Sequence, residues 1–340
     1  MTKKRNLSLN QHLFFILVLL VCFLLCISLG SVRISLSEIV ESIGLFFIKG
    51  PQENLVENII FSIRLPRVLN VFLVGGGLSL CGAAMQGLLK NPLADGSTMG
   101  VSSGAALGAI IAIALGLSLP GIPFGGTVLL SIIFAFLSLI SILSLSYKID
   151  TGLSTNTIIL MGVIFSMFAS SISSFIMVFA SKKIESITFW QMGSLANSSY
   201  ISAIVILFTS LFFGYFIIKR GVELDAFSMG ENNALHLGVD VKRTKLTIMV
   251  SVSAIIGVCV AFSGTIAFVG LILPHIMRKV VGVSHRKLLI ASYYGGGIFL
   301  LLADLFSRTI LSPIEIPIGI VTSSIGSLLF VYIFYRMRKG

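Results

Sequence analysis

Apolar residues in this chain do not alternate with polar ones; they gather in long blocks separated by short polar segments. The stretch from 64 to 108 shows the design. Arg64-Leu65-Pro66-Arg67 heads an apolar run, small residues follow, a polar hairpin covers Lys90–Thr98, and a second apolar run turns back. Helices that are apolar all round on both sides of so short a turn suit lipid, where backbone hydrogen bonds must be met within the segment.

The same pattern predicts ten spans, at about 13–30, 66–88, 98–117, 126–147, 156–180, 200–218, 246–262, 265–277, 288–306 and 318–335. The first follows a polar start with Lys3, Lys4 and Arg5. Its apolar part exceeds the roughly 7–15 residues of a signal peptide, and no small-residue cleavage site follows, so it is expected to stay and to leave the N-terminus inside. Residues 31–63 are mixed, with Glu38, Glu41, Lys49, Pro51, Glu53 and Glu57, and predict an external loop bearing an amphipathic helix. Pro120, Gly121 and Pro123 predict an external turn. A polar turn at 147–155 carries Lys148 and Asp150, and an external segment at 181–199 carries the single Trp190. The eighth span, with 13 residues, cannot cross about 30 Å of hydrocarbon at about 1.5 Å per residue. Irregular backbone buried in protein must extend it.

Composition agrees: 56% of residues are hydrophobic, 11% are charged, and mean hydropathy is +1.05. Soluble domains carry about 25% charged residues, so the fold class is an all-α polytopic membrane protein in one domain over 1–340. The net charge of +11 invites a nucleic-acid reading. Charge placement removes the need for it, because internal segments of the ten-span topology hold 17 of the 24 Lys and Arg and external ones 7. That is the positive-inside bias, with both termini inside, and a nine-span count would weaken it.

Small residues recur every fourth position, at Ser79, Ala83 and Gly87 on the second span and at Gly104, Gly108, Ala112 and Gly116 on the third. They predict close helix packing. Gly75-Gly76-Gly77 has no strand before it, so it is a packing or flexing site and not a nucleotide cradle. Cys22, Cys26, Cys81 and Cys259 lie in apolar runs without metal or disulfide spacing, and His12, His236, His275 and His285 are scattered. No phosphate loop, nucleophile elbow or zinc motif is present. Candidate intramembrane carboxylates reduce to Asp304, near the outer end of the ninth span, and Glu315 in a loop, which argues against ion-driven secondary transport.

Two features point to partners. Arg64, Arg67 and Arg308 sit at outer span ends against the charge bias. They are either snorkelling interface residues or receivers of a partner's carboxylates. The inner loop 219–245 is too short for a nucleotide-binding domain but long enough for one or two short surface helices. It is either a solvated loop or a lever for a separate motor.

Residues then accumulate that resemble a family: RLPR at 64–67, GAAMQGLLKNPLADGSTMGVSSGA at 82–105, FWQMGS at 189–194, GENNALHLGVDVKRTK at 230–245, GTIAFVGLILPHIMRKVVG at 264–282 and DLFSRTILSPIEIPIGIVTSSIG at 304–326. In order and spacing, from about residue 60 to the end, they resemble the FecCD-type permeases, the membrane subunits of type II ABC importers for ferric siderophores, haem and cobalamin. The resemblance implies ten helices and a permease homodimer or heterodimer with the pathway between subunits. It also implies two cytoplasmic ATPase subunits that use the ATP, and an extracytoplasmic substrate-binding protein, a lipoprotein in Gram-positive cells. This chain would be no enzyme and bind no cofactor; it would sit in the lipid of a bacterial cell membrane. The resemblance further implies docking of the binding protein at Arg64, Arg67 and Arg308. It places an inner gate at Asn91, Pro92, Leu93, Ser154 and Thr155, and ATPase coupling at Gly230, Ala234, Leu237 and Gly238. One departure is Asp95-Gly96, where the family has an acidic-Pro pair; glycine frees the φ that proline would fix. The expected cargo is a ferric siderophore or similar iron complex, with haem or cobalamin as alternatives. A stand-alone secondary transporter is the reading from another class.

Overall fold

The computed structural model describes residues 7–30, 32, 34–49, 54–118 and 125–339. Lys3, Lys4, Arg5, Arg33, Pro51, Glu53 and the turn with Pro120, Gly121 and Pro123 lie outside the described residues, as do the side chains of Lys49, Arg336, Arg338 and Lys339. Described elements are helical throughout. They are α1 (Leu9–Ser28), α2 (Leu36–Lys49), α3 (Leu55–Asn58), α4 (Leu65–Leu88), α5 (Val101–Leu115), α6 (Gly125–Ile149), α7 (Thr155–Phe179), α8 (Ile184–Gln191), α9 (Tyr200–Lys219), α10 (Gly221–Phe227), α11 (Glu231–His236), α12 (Val241–Ser263), α13 (Val269–Val281), α14 (His285–Thr309) and α15 (Ile318–Lys339). Each of the ten predicted spans coincides with one helix. Seven helical runs are long and apolar enough to cross a membrane by length and composition, while α5 and the apolar part of α15 are shorter. The expected amphipathic helix of the 31–63 segment is α2, and the 219–245 loop holds two short helices, α10 and α11.

Local chemistry sets the starts. Ser8 and Gln11 form a reciprocal capping box before α1, Ser199 and Ser202 do the same for α9, and Asp240 accepts from the Arg243 N–H to start α12. The second span begins earlier than expected, as one helical run over Leu55–Leu88. Pro66 lacks the N–H that a continuing α-helix needs, and the chain passes it with a π-turn at Ile59–Arg64.

Helix α4 is the axis of the bundle and is buried on every face. It runs antiparallel to α14: Gly75 faces Gly296, Gly87 faces His285, and Arg67 faces Asp304. A Cβ on Gly75 would lie 2.4 Å from the Gly296 carbonyl oxygen, so the backbones touch. The small-residue face of the third span packs closely at Gly104 and Gly108, which press α5 onto Ser138 and Leu130 of α6, whereas Gly116 instead ends α5 at φ +65° with nothing within 4 Å of its Cβ position.

Two half-length elements break beside α4. Helix α13 has 13 residues and is preceded by irregular backbone at 264–268, as the short eighth span required. Phe268 there has φ +68°. Pro274 frees the Gly270 carbonyl, and the Gln86 amide answers from α4, 3.5 Å from that oxygen and 2.9 Å from the Leu271 oxygen. The other break corrects the expected polar hairpin. The 89–100 connection does not stay at the helix ends but climbs back into the bundle, where Gly96 packs on Ile256 of α12 and Asp95 lies near Gly270. Helix α5 therefore starts inside the bundle and keeps only 15 residues.

Candidate functional site

The α4–α14 pair carries one polar cluster at each end. His285 and Asp304 are separated by 19 residues of α14, roughly 28 Å at the α-helical rise.

At the arginine end, Asp304 is 1% exposed and lies between two guanidiniums. Arg67 donates from Nε to Asp304 Oδ1 at 3.0 Å and pairs through Nη1 with Glu315 at 2.8 Å. Arg308 Nε lies 3.0 Å from Asp304 Oδ2 as an ion pair, and its Nη2 donates to the Cys26 carbonyl. Arg64 donates to the carbonyls of Ile27, Ser28 and Val32. Three guanidiniums open at a mouth are therefore not what the structure holds; their donors turn inward and bind α1, α4, α14 and the 310–317 loop together. The physical reason is the antiparallel register, which sets Asp304 opposite Arg67. Asp304, weighed from sequence as an ion-path carboxylate, is engaged by two cations here.

Between the ends lies a cavity of about 500 Å³. Ser102 and Ser103 of α5, Ser170, Ser173 and Ser174 of α7, Gln191, Thr265 and Asp95 supply its polar lining, and Leu78, Ile256, Val260 and Met177 its apolar part. No basic side chain lines it among the described residues. Ser173 and Ser174 donate to carbonyls one turn back at Ala169 and Ser170, leaving their lone pairs as the free hydrogen-bonding capacity. Both breaks, at 95–96 and 265–268, reach the cavity wall.

At the loop end, the residues expected in gate and coupling roles separate by function. Asn91 Oδ1 accepts from the Leu93 N–H at 2.9 Å, an Asx-turn that leaves Pro92 and Leu93 exposed. Ser154 is fastened locally, to Asp150 through its N–H and to Thr157 through its hydroxyl. Thr155 instead reaches across to α11: its hydroxyl donates to Glu231 Oε1 at 3.0 Å. The 91–93 turn and the 154–155 start of α7 are thus held by different partners. In the loop, Gly230 (φ +112°) and Gly238 (φ +83°) bracket α11, Ala234 is buried beneath it, and Leu237 is exposed.

Sequence reasoning missed several groups that join these parts. Glu231 also pairs with Lys245 at 2.8 Å, and buried Lys245 donates to the Leu153 carbonyl at 2.8 Å. Asp225 of α10 accepts from the His285 N–H and pairs with its Nδ1, both at 2.8 Å. Burial raises the Asp225 carboxyl pKa, and the His285 and Ser284 hydrogen bonds outweigh it, holding the group below the usual carboxylate range. Met229 and Leu235 stand exposed with Leu237 at the tip of the loop. Spacing carried no signal for the ion pairs; Leu235 and Leu237, following Asn232-Asn233 in a polar loop, did carry one for the tip.

The model of the FecCD transport family matches residues 18–336. The chain is 42% identical over 327 residues to the uncharacterized ABC transporter permease protein YvrB of Bacillus subtilis, covering 95% of this chain and 92% of that protein. It is 35% identical over 330 residues to the molybdate import system permease protein MolB of Haemophilus influenzae, covering 95% of each. A solved structure described as an inward-facing conformation of a metal-chelate type ABC transporter superposes with a TM-score of 0.84 at 31% identity, covering 95% of this chain and 98% of that one.

Proposed function

The chain belongs to the FecCD transport family, and on that premise we propose that it is the permease subunit of an importer that moves an iron chelate by ATP-driven alternating access. The observation that carries this reading is the continuous tie from an exposed apolar loop tip, through Glu231, to α7, whose far half lines the cavity. Met229, Leu235 and Leu237 would seat in one of two cytoplasmic ATPase subunits, which supply the nucleotide chemistry. The permease pairs with a second copy or a related permease. Both termini and the 219–245 loop face the cytoplasm of a bacterial cell, and the arginine end faces out.

A substrate-binding protein docks at that outer end. Because Arg64, Arg67 and Arg308 are turned inward, the docking surface is the one they hold in shape, with Glu315 at its rim, instead of three free guanidiniums. Hydroxyl lining without a basic residue favours a bulky chelate that slides over many weak contacts. An oxyanion such as molybdate would call for fixed cations or aimed N–H donors.

Reconstitution of the chain with its ATPase and binding protein in liposomes, using a radio-iron siderophore complex, tests the proposal. ATP-dependent uptake is expected. Equal uptake without the ATPase overturns it.

A further inference from the structure

Glu231 is the first residue of α11, and its carboxylate is shared by two other elements. Oε1 accepts from the hydroxyl of Thr155, the first residue of α7, at 3.0 Å, and Oε2 takes Lys245 Nζ of α12 at 2.8 Å. Lys245 is 1% exposed and gives a second donor to the carbonyl of Leu153, in the turn that leads into α7. Leu153 itself has φ +52°, a left-handed conformation that a branched side chain adopts only when its surroundings hold it there. One carboxylate therefore closes a ring through α11, the 153–155 turn and the first turns of α12.

We propose that Glu231 is the positioning residue that transmits movement of the α10–α11 lever to the cavity, by holding the start of α7. The inference rests on the transport reading above and names the bond through which it would act. Helix α7 is a rod whose two ends meet different parts of the mechanism. Thr155 lies at the lever, and Ser170, Ser173 and Ser174 lie in the cavity wall, with 15 residues and about 22 Å between Thr155 and Ser170. A shift of α11 pulls Thr155 by its hydroxyl and tilts the rod. Lys245 plays the complementary part: it fixes the same turn to α12, which contributes Ile256 and Val260 to the cavity lining. The remaining hydrogen bonds around the start of α7 are local, from Ser154 to Asp150 and Thr157, and would hold the helix start together without connecting it to the lever. A hydroxyl–carboxylate bond suits this task because it is directional and charge-assisted, yet can break and re-form as the lever swings.

Thr155→Val removes the hydroxyl at nearly constant shape and leaves the Glu231–Lys245 pair in place; Thr155→Ser keeps the hydroxyl. In the assembled transporter, uptake and ATP hydrolysis are measured together. Thr155→Val should lower uptake about tenfold, the factor expected for one hydrogen bond to a charged group, while ATP hydrolysis stays within twofold, so that more ATP is spent per chelate moved. Thr155→Ser should restore the wild-type ratio. An unchanged ratio in Thr155→Val, or equal impairment in Thr155→Ser, overturns the link. If the wild-type complex itself shows no ATP-driven uptake, the transport reading fails separately. The link is then read in the purified full chain by hydrogen exchange at the first turn of α7. Thr155→Val should speed exchange there about tenfold and Thr155→Ser should not; equal exchange in Thr155→Val and wild type overturns it.

Discussion

Arg67 and Asp304 stand 237 positions apart in the chain and meet at 2.9 Å at the arginine end of α4 and α14, with both side chains buried. Asp304 also meets Arg308, so one carboxylate answers two guanidiniums. Asp304→Asn would leave Arg308 without a counter-charge and Arg67 with only the partly exposed Glu315. Breaking a buried pair costs about 3–5 kcal/mol, so this variant should lose much of its thermal stability in detergent, followed by the fluorescence of Trp190. Glu315→Gln touches the same Arg67 from a carboxylate one-third exposed and should cost less than about 1 kcal/mol. Equal losses for the two would contradict the division drawn here.

Close backbone approach makes Gly82 intolerant. A Cβ there would lie 1.9 Å from the Gly270 carbonyl oxygen, at the point where α13 begins beside the cavity. Gly82→Val should prevent assembly of α13 against α4 and give little folded protein by size-exclusion chromatography. Gly44, with nothing within 4 Å of its Cβ position, should accept alanine without change.

Leu235 and Leu237 are 56% and 63% exposed on the lever tip. Leu235→Ser and Leu237→Ser should each leave thermal stability within about 0.5 kcal/mol of wild type, as ordinary surface changes do. If the tip seats in an ATPase, burial of each leucine is worth about 1.5–3 kcal/mol, so affinity for that subunit should drop at least tenfold per variant in a titration. Ala234→Ser, at a buried position, should show the reverse pattern.

Asp225 lies outside the spans and has its carboxyl held below the ordinary range by His285, against the upward push of burial. A depressed carboxylate contributes stability that is fully present above its unfolded value, about 4, and is lost as pH falls through the lower folded value. Wild type should therefore lose melting temperature between about pH 4 and the acid limit. Asp225→Asn, lower at pH 7, should fall less over that interval. Parallel melting curves would show that the Asp225–His285 contact is not stabilising.

Much of this architecture was legible because lipid simplifies the code. Ten blocks of apolar residues became ten helices, and even the deficit of the eighth span pointed to the irregular backbone before α13, which lines the cavity. Hydropathy cannot see where backbone re-enters the bundle, so the 89–100 segment reads as a simple polar hairpin although Gly96 packs against Ile256. The arginines were recognised as unusual, but their direction was not, because Arg67 finds Asp304 only through the antiparallel register of α4 and α14. Glu231 escaped for a similar reason: its partners Thr155 and Lys245 lie 76 positions before it and 14 after, and neither spacing has a periodicity to betray it.

The two interruptions in the helices meet at the cavity, and this has a consequence for how the protein can change over time. At these interruptions the wall combines the side chains of Asp95, Thr265 and Phe268 with a chain path set at Gly96, whose Cβ position is closed by Ile256, so substitution at the glycine would redraw the cavity while the lining side chains could be exchanged. On the proposed function, related lineages could then take up a new cargo by exchanging lining side chains, while the helix breaks that frame the cavity stay as they are.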